Sequence, residues 1–199
     1  MGNFPFMNLL KGYAKKRDLH GGSKLHDTTL ERRLFESHQK DFRADYYRNH
    51  FPFMHLLKVC AKKKDLYGGS KLHDCILERR LLVKNPFLAS TIINMYAKCG
   101  VPAKAQEVFE ELSARDTITW NALITGYVQL GKGDKALNCF QRMQNEGLSP
   151  DVVTFTCILK SCGIIGALDK GKQVHGKTAR MDILEKDVIL GTALVDMYA

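Results

Sequence analysis

The chain repeats itself, and that bounds its fold before any single motif is considered. Residues 56–97 align without a gap on residues 158–199, an offset of 102. Leu57-Lys58, Cys60, Leu66, Gly69, His73, Lys84 and the Met95-Tyr96-Ala97 ending all return in register. A closer copy lies at an offset of 47, where FPFMNLLKGYAKKRDLHGGSKLHDTTLERRL at 4–34 matches residues 51–81 at 24 of 31 positions. Such self-similarity implies a supersecondary unit that stacks on copies of itself, because one unit cannot bury its apolar face alone.

The longer period subdivides into 86–116, 117–151 and 152–187, units of 31, 35 and 36 residues. Each reads as two short amphipathic helices with a tight joint. In the middle unit Trp120, Leu123, Ile124 and Tyr127 recur at the spacing of one buried helical face. Gly131 and Gly133 interrupt that stripe, and Asp134 is the expected N-cap of the next helix. Ala136, Leu137, Phe140 and Met143 form the second stripe, which Gly147 ends before Pro150. The pattern predicts an all-α solenoid.

Charge narrows the partners. The net charge is +9, and residues 1–84 hold 18 Lys+Arg against 9 Asp+Glu, while residues 85–199 hold 12 of each. An excess confined to one end suits contact with a polyanion such as nucleic acid, or is a solvated basic face. No apolar run approaches the roughly 18 residues that span a bilayer. The six cysteines make no C-x-x-C pair and no zinc-ligand spacing with histidine, so they read as free thiols, mostly within apolar stripes, and no metal or cofactor is expected. The basic N-terminus lacks the serines of a transit peptide and belongs to the first copy of the repeat.

The phrases INMYAKCGVPAKAQEVFEEL, TWNALITGYVQLGKGDKALNCFQRMQNEGLSPDVVTF and GALDKGKQVHG resemble pentatricopeptide repeats. The alternating lengths resemble the subclass that cycles long, short and ordinary motifs. Residues 50–85 and 152–187 look like long motifs, 86–116 like a short one, 117–151 like an ordinary one, and 188–199 like half of another short motif. Residues 3–38 look like a degenerate duplicate of a long motif, and 39–49 stand as a linker. The resemblance implies a right-handed α-solenoid of stacked helix-turn-helix repeats.

It also implies single-stranded RNA as partner, one nucleotide per repeat, read by side chains of the first helix and of the motif end. Carried onto this chain, the paired reading positions are Asn121 with Asp151, similar to the family's uridine-preferring pair. Ser90 with Asp116 resembles a guanine-preferring pair, as does Thr156 with Asp187. Met54 with Asn85 matches no such pair. Phe87, Ile118, Val153 and Ile189 are the implied base wedges, and Lys62 and Lys98 the implied phosphate contacts.

Plainer readings stand beside these. An exposed Asn on a helix is common, and Ser and Asp also suit helix caps. His26, His73 and His175 share one phase of the long motif without ligand partners, which points to packing. The Gly-Gly stretches lack the spacing of a phosphate loop and read as hairpin joints. No H-x-E with a downstream C-x-x-C is present for the deaminase chemistry found in some members of this subclass, so no enzyme activity is expected. Any RNA editing or processing would then depend on a partner enzyme, in the mitochondrion or chloroplast by family resemblance. The chain stops at VDMYA, half-way through a hairpin, and is expected to be a fragment or to need another protein over that end. The alternative is a protein-interaction solenoid or a truncated scaffold without function.

Overall fold

The structure is a computed structural model that describes residues 42–181, 183 and 187–199. The expected duplicate motif at 3–38 lies outside the described residues. Those from Asn49 onward form one compact unit. Every element among the described residues is helical: α1 Phe42–Lys63, α2 Leu66–Glu78, a 3-10 turn Leu81–Lys84, α3 Pro86–Lys98, α4 Pro102–Glu110, α5 Thr117–Gln129, α6 Gly133–Asn145, α7 Val152–Ile165, α8 Leu168–Arg180 and α9 Val188–Tyr198. Residues 42–49, expected as linker, are helical and continuous with the first helix of the motif that follows.

The helices alternate between two rows. In the first row α3 packs on α5, α5 on α7 and α7 on α9, and α3, α5 and α7 each pack against a hairpin mate, α4, α6 and α8 in turn. The mates also touch the next first-row helix, α4 against α5, α6 against α7 and α8 against α9. Contacts thus run from one hairpin to the next, which is the definition of an α-solenoid. The core follows the stacking: Leu88, Ile92 and Ile93 of α3, Trp120 and Ile124 of α5, and Ile158 and Leu159 of α7 are fully buried.

Local chemistry sets the hairpin length. Gly100, Gly131, Gly147 and Gly166 adopt left-handed backbone, with φ between 66° and 80°. At each of these, the following residue donates its N–H to the carbonyl five positions back, as Val101 does to Tyr96 and Ala167 to Cys162. That is the Schellman closure of a helix end. Lys64 stands where the copy 102 residues later has Gly166, and it takes the same conformation with φ 54°. Asp65 N–H then donates to Cys60 O.

The second copy is physical as well as textual. A Cβ on Gly69 would overlap the Met95 side chain, with Cε at 2.8 Å, and one on Gly171 would overlap Met197, with Cε at 2.9 Å. His73 Nδ1 lies 3.1 Å from Tyr96 Oη, and His175 Nδ1 lies 3.0 Å from Tyr198 Oη. The recurrent Gly and His therefore form one seat for the recurrent Met-Tyr pair. Asp134 does not cap α6: the helix begins one residue earlier, with Lys132 at the cap and Asp134 in the first turn. Gly133 is drawn into the helix because it lies against α7, where a Cβ would stand 2.9 Å from the Ser161 carbonyl.

Candidate functional site

Every first-row helix from α3 to α9 starts from a capping side chain at the end of the preceding motif. Asn85 accepts from Leu88 N–H, Asp116 from Thr119 N–H, Asp151 from Thr154 N–H and Asp187 from Leu190 N–H, at 2.8 to 3.0 Å. Such caps are worth about 1 kcal/mol each, and an anionic cap also suits the positive end of the helix dipole. The side chains at the motif ends, acidic at three of the four joints, thus have a folding role whatever else they do.

At one joint the cap does more. Nδ2 of Asn121, in α5, stands 3.0 and 2.9 Å from the two carboxylate oxygens of Asp151. Thr154 Oγ1, in α7, donates to Asn121 Oδ1 at 2.6 Å. A single amide N–H pointing between the two carboxylate oxygens serves both, since the two N–H bonds diverge too widely to share them. Asn121 therefore keeps one N–H and one carbonyl lone pair for an outside partner. The opposite flip would set Oδ1 against two anionic oxygens, so the carboxylate fixes which end is donor. Asn121 is half-buried and Asp151 exposed, so the pair is open to solvent.

The other paired positions do not make this clamp. Ser90 Oγ turns back along its own helix and donates to Phe87 O at 3.0 Å, while Asp116 serves only its cap and capping box. Thr156 is buried and donates to Val152 O at 2.8 Å, while Asp187 caps α9. At these two positions the hydroxyl is satisfied in the preceding turn of its own helix.

Phe87, Ile118, Val153 and Ile189 each occupy the first turn of a first-row helix, and they remain 56%, 38%, 53% and 66% exposed. Neighbours at the next positions, such as Leu88, Thr119, Thr154 and Leu190, are buried, so the exposure belongs to this position rather than to a loose helix end. Large apolar side chains held in water at one repeated position are the feature to explain. Lys62 lies in the last turn of α1 and Lys98 in that of α3, both exposed.

Two features were missed in sequence reasoning. One is Thr154, whose signal was available: D-x-x-T occurs at 116–119 and again at 151–154, and both form capping boxes. The other is a polar tie in the second row. Arg142 of α6 donates to both oxygens of Glu110 of α4, at 2.8 and 3.1 Å, and Arg115 joins Glu110 to Glu146. The Arg142 bonds hold the Glu110 carboxyl below the usual carboxylate range. Trp120 Nε1 donates to Glu146 Oε2 at 3.2 Å, which ties the network to the buried ring. No spacing in the sequence marks that network, because its members come from three helices and two connections between helices.

Among the described residues, no three His, Cys, Asp or Glu side chains converge as a metal site would need, and no helix is long and apolar enough to cross a membrane.

A stack of helical hairpins with a capped joint per repeat and one polar clamp across a joint defines a modular repeat protein. Residues 88–116 match the family model described as PPR repeat, and residues 115–163 the one described as PPR repeat family. Residues 88–163 thus carry the sequence pattern of pentatricopeptide repeats. It is 40% identical over 123 residues to the pentatricopeptide repeat-containing protein At2g13600 of Arabidopsis thaliana, a match covering 59% of this chain and 18% of that protein. It is 41% identical over 112 residues to At5g55740, named chloroplastic, covering 56% and 13%. It is 37% identical over 118 residues to At3g09040, named mitochondrial, covering 59% and 11%. The chain thus spans 11 to 18% of the length of these curated relatives from the same plant. The fold is similar to the crystal structure of the pentatricopeptide repeat protein PPR10 from maize, with a TM-score of 0.59 at 20% identity over 75% of this chain and 22% of that one.

Proposed function

We propose that this chain binds single-stranded RNA and reads one base at the α5–α7 joint. The observation that carries the reading is the Asn121 amide, clamped by Asp151 with one donor and one acceptor left free. A uracil edge offers the matching acceptor and donor side by side, so the reading assigns uridine to this repeat. Phe87, Ile118, Val153 and Ile189 pack between successive bases, which explains why they stay apolar in water. Ser90 with Asp116 and Thr156 with Asp187 are the flanking guanine readers, and Lys62 and Lys98 meet phosphates. In the short motif Ser90 must leave its intrahelical bond to reach a base, so that contact is weaker. The array follows the long, short and ordinary cycle and acts on organelle transcripts, in editing or processing performed by a partner enzyme.

The test is selection of bound sequences from a randomised single-stranded RNA pool by the purified chain of 199 residues. Enrichment of a core containing U, with the U requirement lost in Asn121→Ala, is expected. Binding without enrichment would refute base readout. No binding would favour a protein-interaction solenoid.

A further inference from the structure

Thr154 lies in the repeat after Asn121, is fully buried, and cannot itself touch a bound base. Its hydroxyl has a single proton and three polar neighbours. It accepts from Asp151 N–H at 3.1 Å, stands 2.9 Å from Asp151 Oδ1, and stands 2.6 Å from Asn121 Oδ1. Asp151 Oδ1 already accepts from Thr154 N–H and from the Asn121 amide, so the proton is assigned to the nearer acceptor, the Asn121 carbonyl.

That bond is not needed for the cap. Thr119 occupies the same place in the capping box of α5, and there the hydroxyl stays within the box. It lies 2.9 Å from both Asp116 O and Asp116 Oδ1, and it accepts from Asp116 N–H at 3.0 Å. The two copies of one local motif thus differ in where the hydroxyl turns: Thr119 to the Asp116 carbonyl, Thr154 across the joint to Asn121.

The consequence is geometric. Asp151 alone holds the Asn121 amide at its nitrogen, a single anchor about which the carbonyl can swing. Thr154 adds a second anchor at the oxygen, so the amide plane and the direction of its free lone pair are both fixed. Uracil and cytosine differ in this respect. At N3 uracil donates where cytosine accepts, and at the neighbouring exocyclic position uracil accepts where cytosine donates. A swinging amide can match either pyrimidine, whereas a fixed one matches only the base whose donor meets its oxygen.

We infer that Thr154 is a positioning residue for base selection, acting through Asn121 to set discrimination of uridine from cytidine at this joint. The inference rests on the RNA-binding reading above. It extends the reading unit from a pair to a triad, Asn121, Asp151 and Thr154, drawn from two consecutive repeats.

The experiment compares the full chain with Thr154→Val, Thr154→Ser and Thr119→Val. Binding is measured by fluorescence anisotropy to two oligoribonucleotides that carry the selected sequence and differ only by U or C at the position loosened in Asn121→Ala. Thermal unfolding is recorded for each variant. Loss of one neutral hydrogen bond from the clamp corresponds to a U-over-C ratio lowered about three- to tenfold in Thr154→Val. Thr154→Ser restores the hydroxyl and the ratio. Thr119→Val loses the same cap hydroxyl and a similar amount of stability, yet keeps the ratio. A ratio unchanged in Thr154→Val, or lowered equally in Thr119→Val, overturns the inference and leaves the RNA reading standing. Should Thr154→Val fold poorly, a Thr154→Ser ratio that differs from the parent's overturns it instead. An unsubstituted chain that binds both oligonucleotides equally overturns the RNA reading, and the inference with it.

Discussion

Replacing Gly126 with alanine tests how closely the first-row helices are stacked. Gly126 is buried in α5, and a Cβ built there would lie 2.7 Å from the Cβ of Ala97 in α3. Carbon atoms settle about 3.5–4.0 Å apart, so the overlap is about 1 Å. Neither partner has a rotamer to change: a Cβ moves only with its backbone. Relief requires α3 and α5 to separate, and these are the helices that carry Ser90 and Asn121. Overpacking of this kind costs about 1–3 kcal/mol, and the better helix propensity of alanine returns about 1 kcal/mol. The net expectation is a loss of about 0–2 kcal/mol, or a fall in Tm of up to a few degrees for a chain of this size. Gly171→Ala is the control. There the overlapping atoms belong to the end of the Met197 side chain, which can swing aside, so the variant is expected within about 1 kcal/mol of the parent. Urea and thermal unfolding followed by far-UV circular dichroism measure both. Gly126→Ala as stable as Gly171→Ala, or more so, would refute the distinction between a rigid and a yielding neighbour.

Two further outcomes follow from the His-Tyr seat. His73 is buried with Nε2 unpartnered, and burial lowers its pKa below the ordinary 6.5, outweighing the raising influence of Asp74 and Glu111 and aided by Lys104. The unfolded chain then binds the proton first, so stability is full above pH 6.5 and falls as the pH drops below it. Thermal unfolding between about pH 8 and about pH 5 should show this fall, and His73→Gln should flatten it. Tyr96→Phe removes the hydroxyl shared by His73 Nδ1 and Ser70 Oγ, leaving both ring nitrogens of a buried histidine unpaired. Its expected cost is about 1–3 kcal/mol in urea unfolding, against a smaller one for Tyr198→Phe, whose partner His175 is more exposed.

The fold was legible because two different signals agreed. Periodicity placed the helical stripes, and the register of Gly69 with Gly171 and His73 with His175 required both copies to fold alike. What stayed hidden depends on neighbours distant in sequence. Asp134 has the chemistry of a cap, yet the close approach of Gly133 to α7 starts the helix before it. Residues 42–49 sit beside a duplication that disguised their own helical character. At the site, the pairing of Asn121 with Asp151 comes from the family resemblance carried onto this repeat, not from periodicity. Thr154 could be placed in a capping box, but its bond across the joint appears only when two hairpins stack. Nor does repeat phase foretell that Ser90 and Thr156 spend their hydroxyls on their own helices.

The clamp also suggests why such an array can carry sequence information at little structural cost. Each first-row helix needs a side chain to accept its early N–H groups, and Asn85, Asp116, Asp151 and Asp187 supply it whether or not anything is read. A carboxylate at that cap is already held beside the preceding repeat. Under the proposed reading, a joint is most selective where the facing helix offers an amide long enough to reach that carboxylate, and less so where a hydroxyl stands there instead. Asn121 reaches; Ser90 and Thr156 do not, although Asp116 and Asp187 cap their helices as Asp151 does. Stability and selectivity therefore separate at this position. Substituting the acidic cap must damage both, whereas substituting the facing residue should alter the base preferred and leave the helix intact.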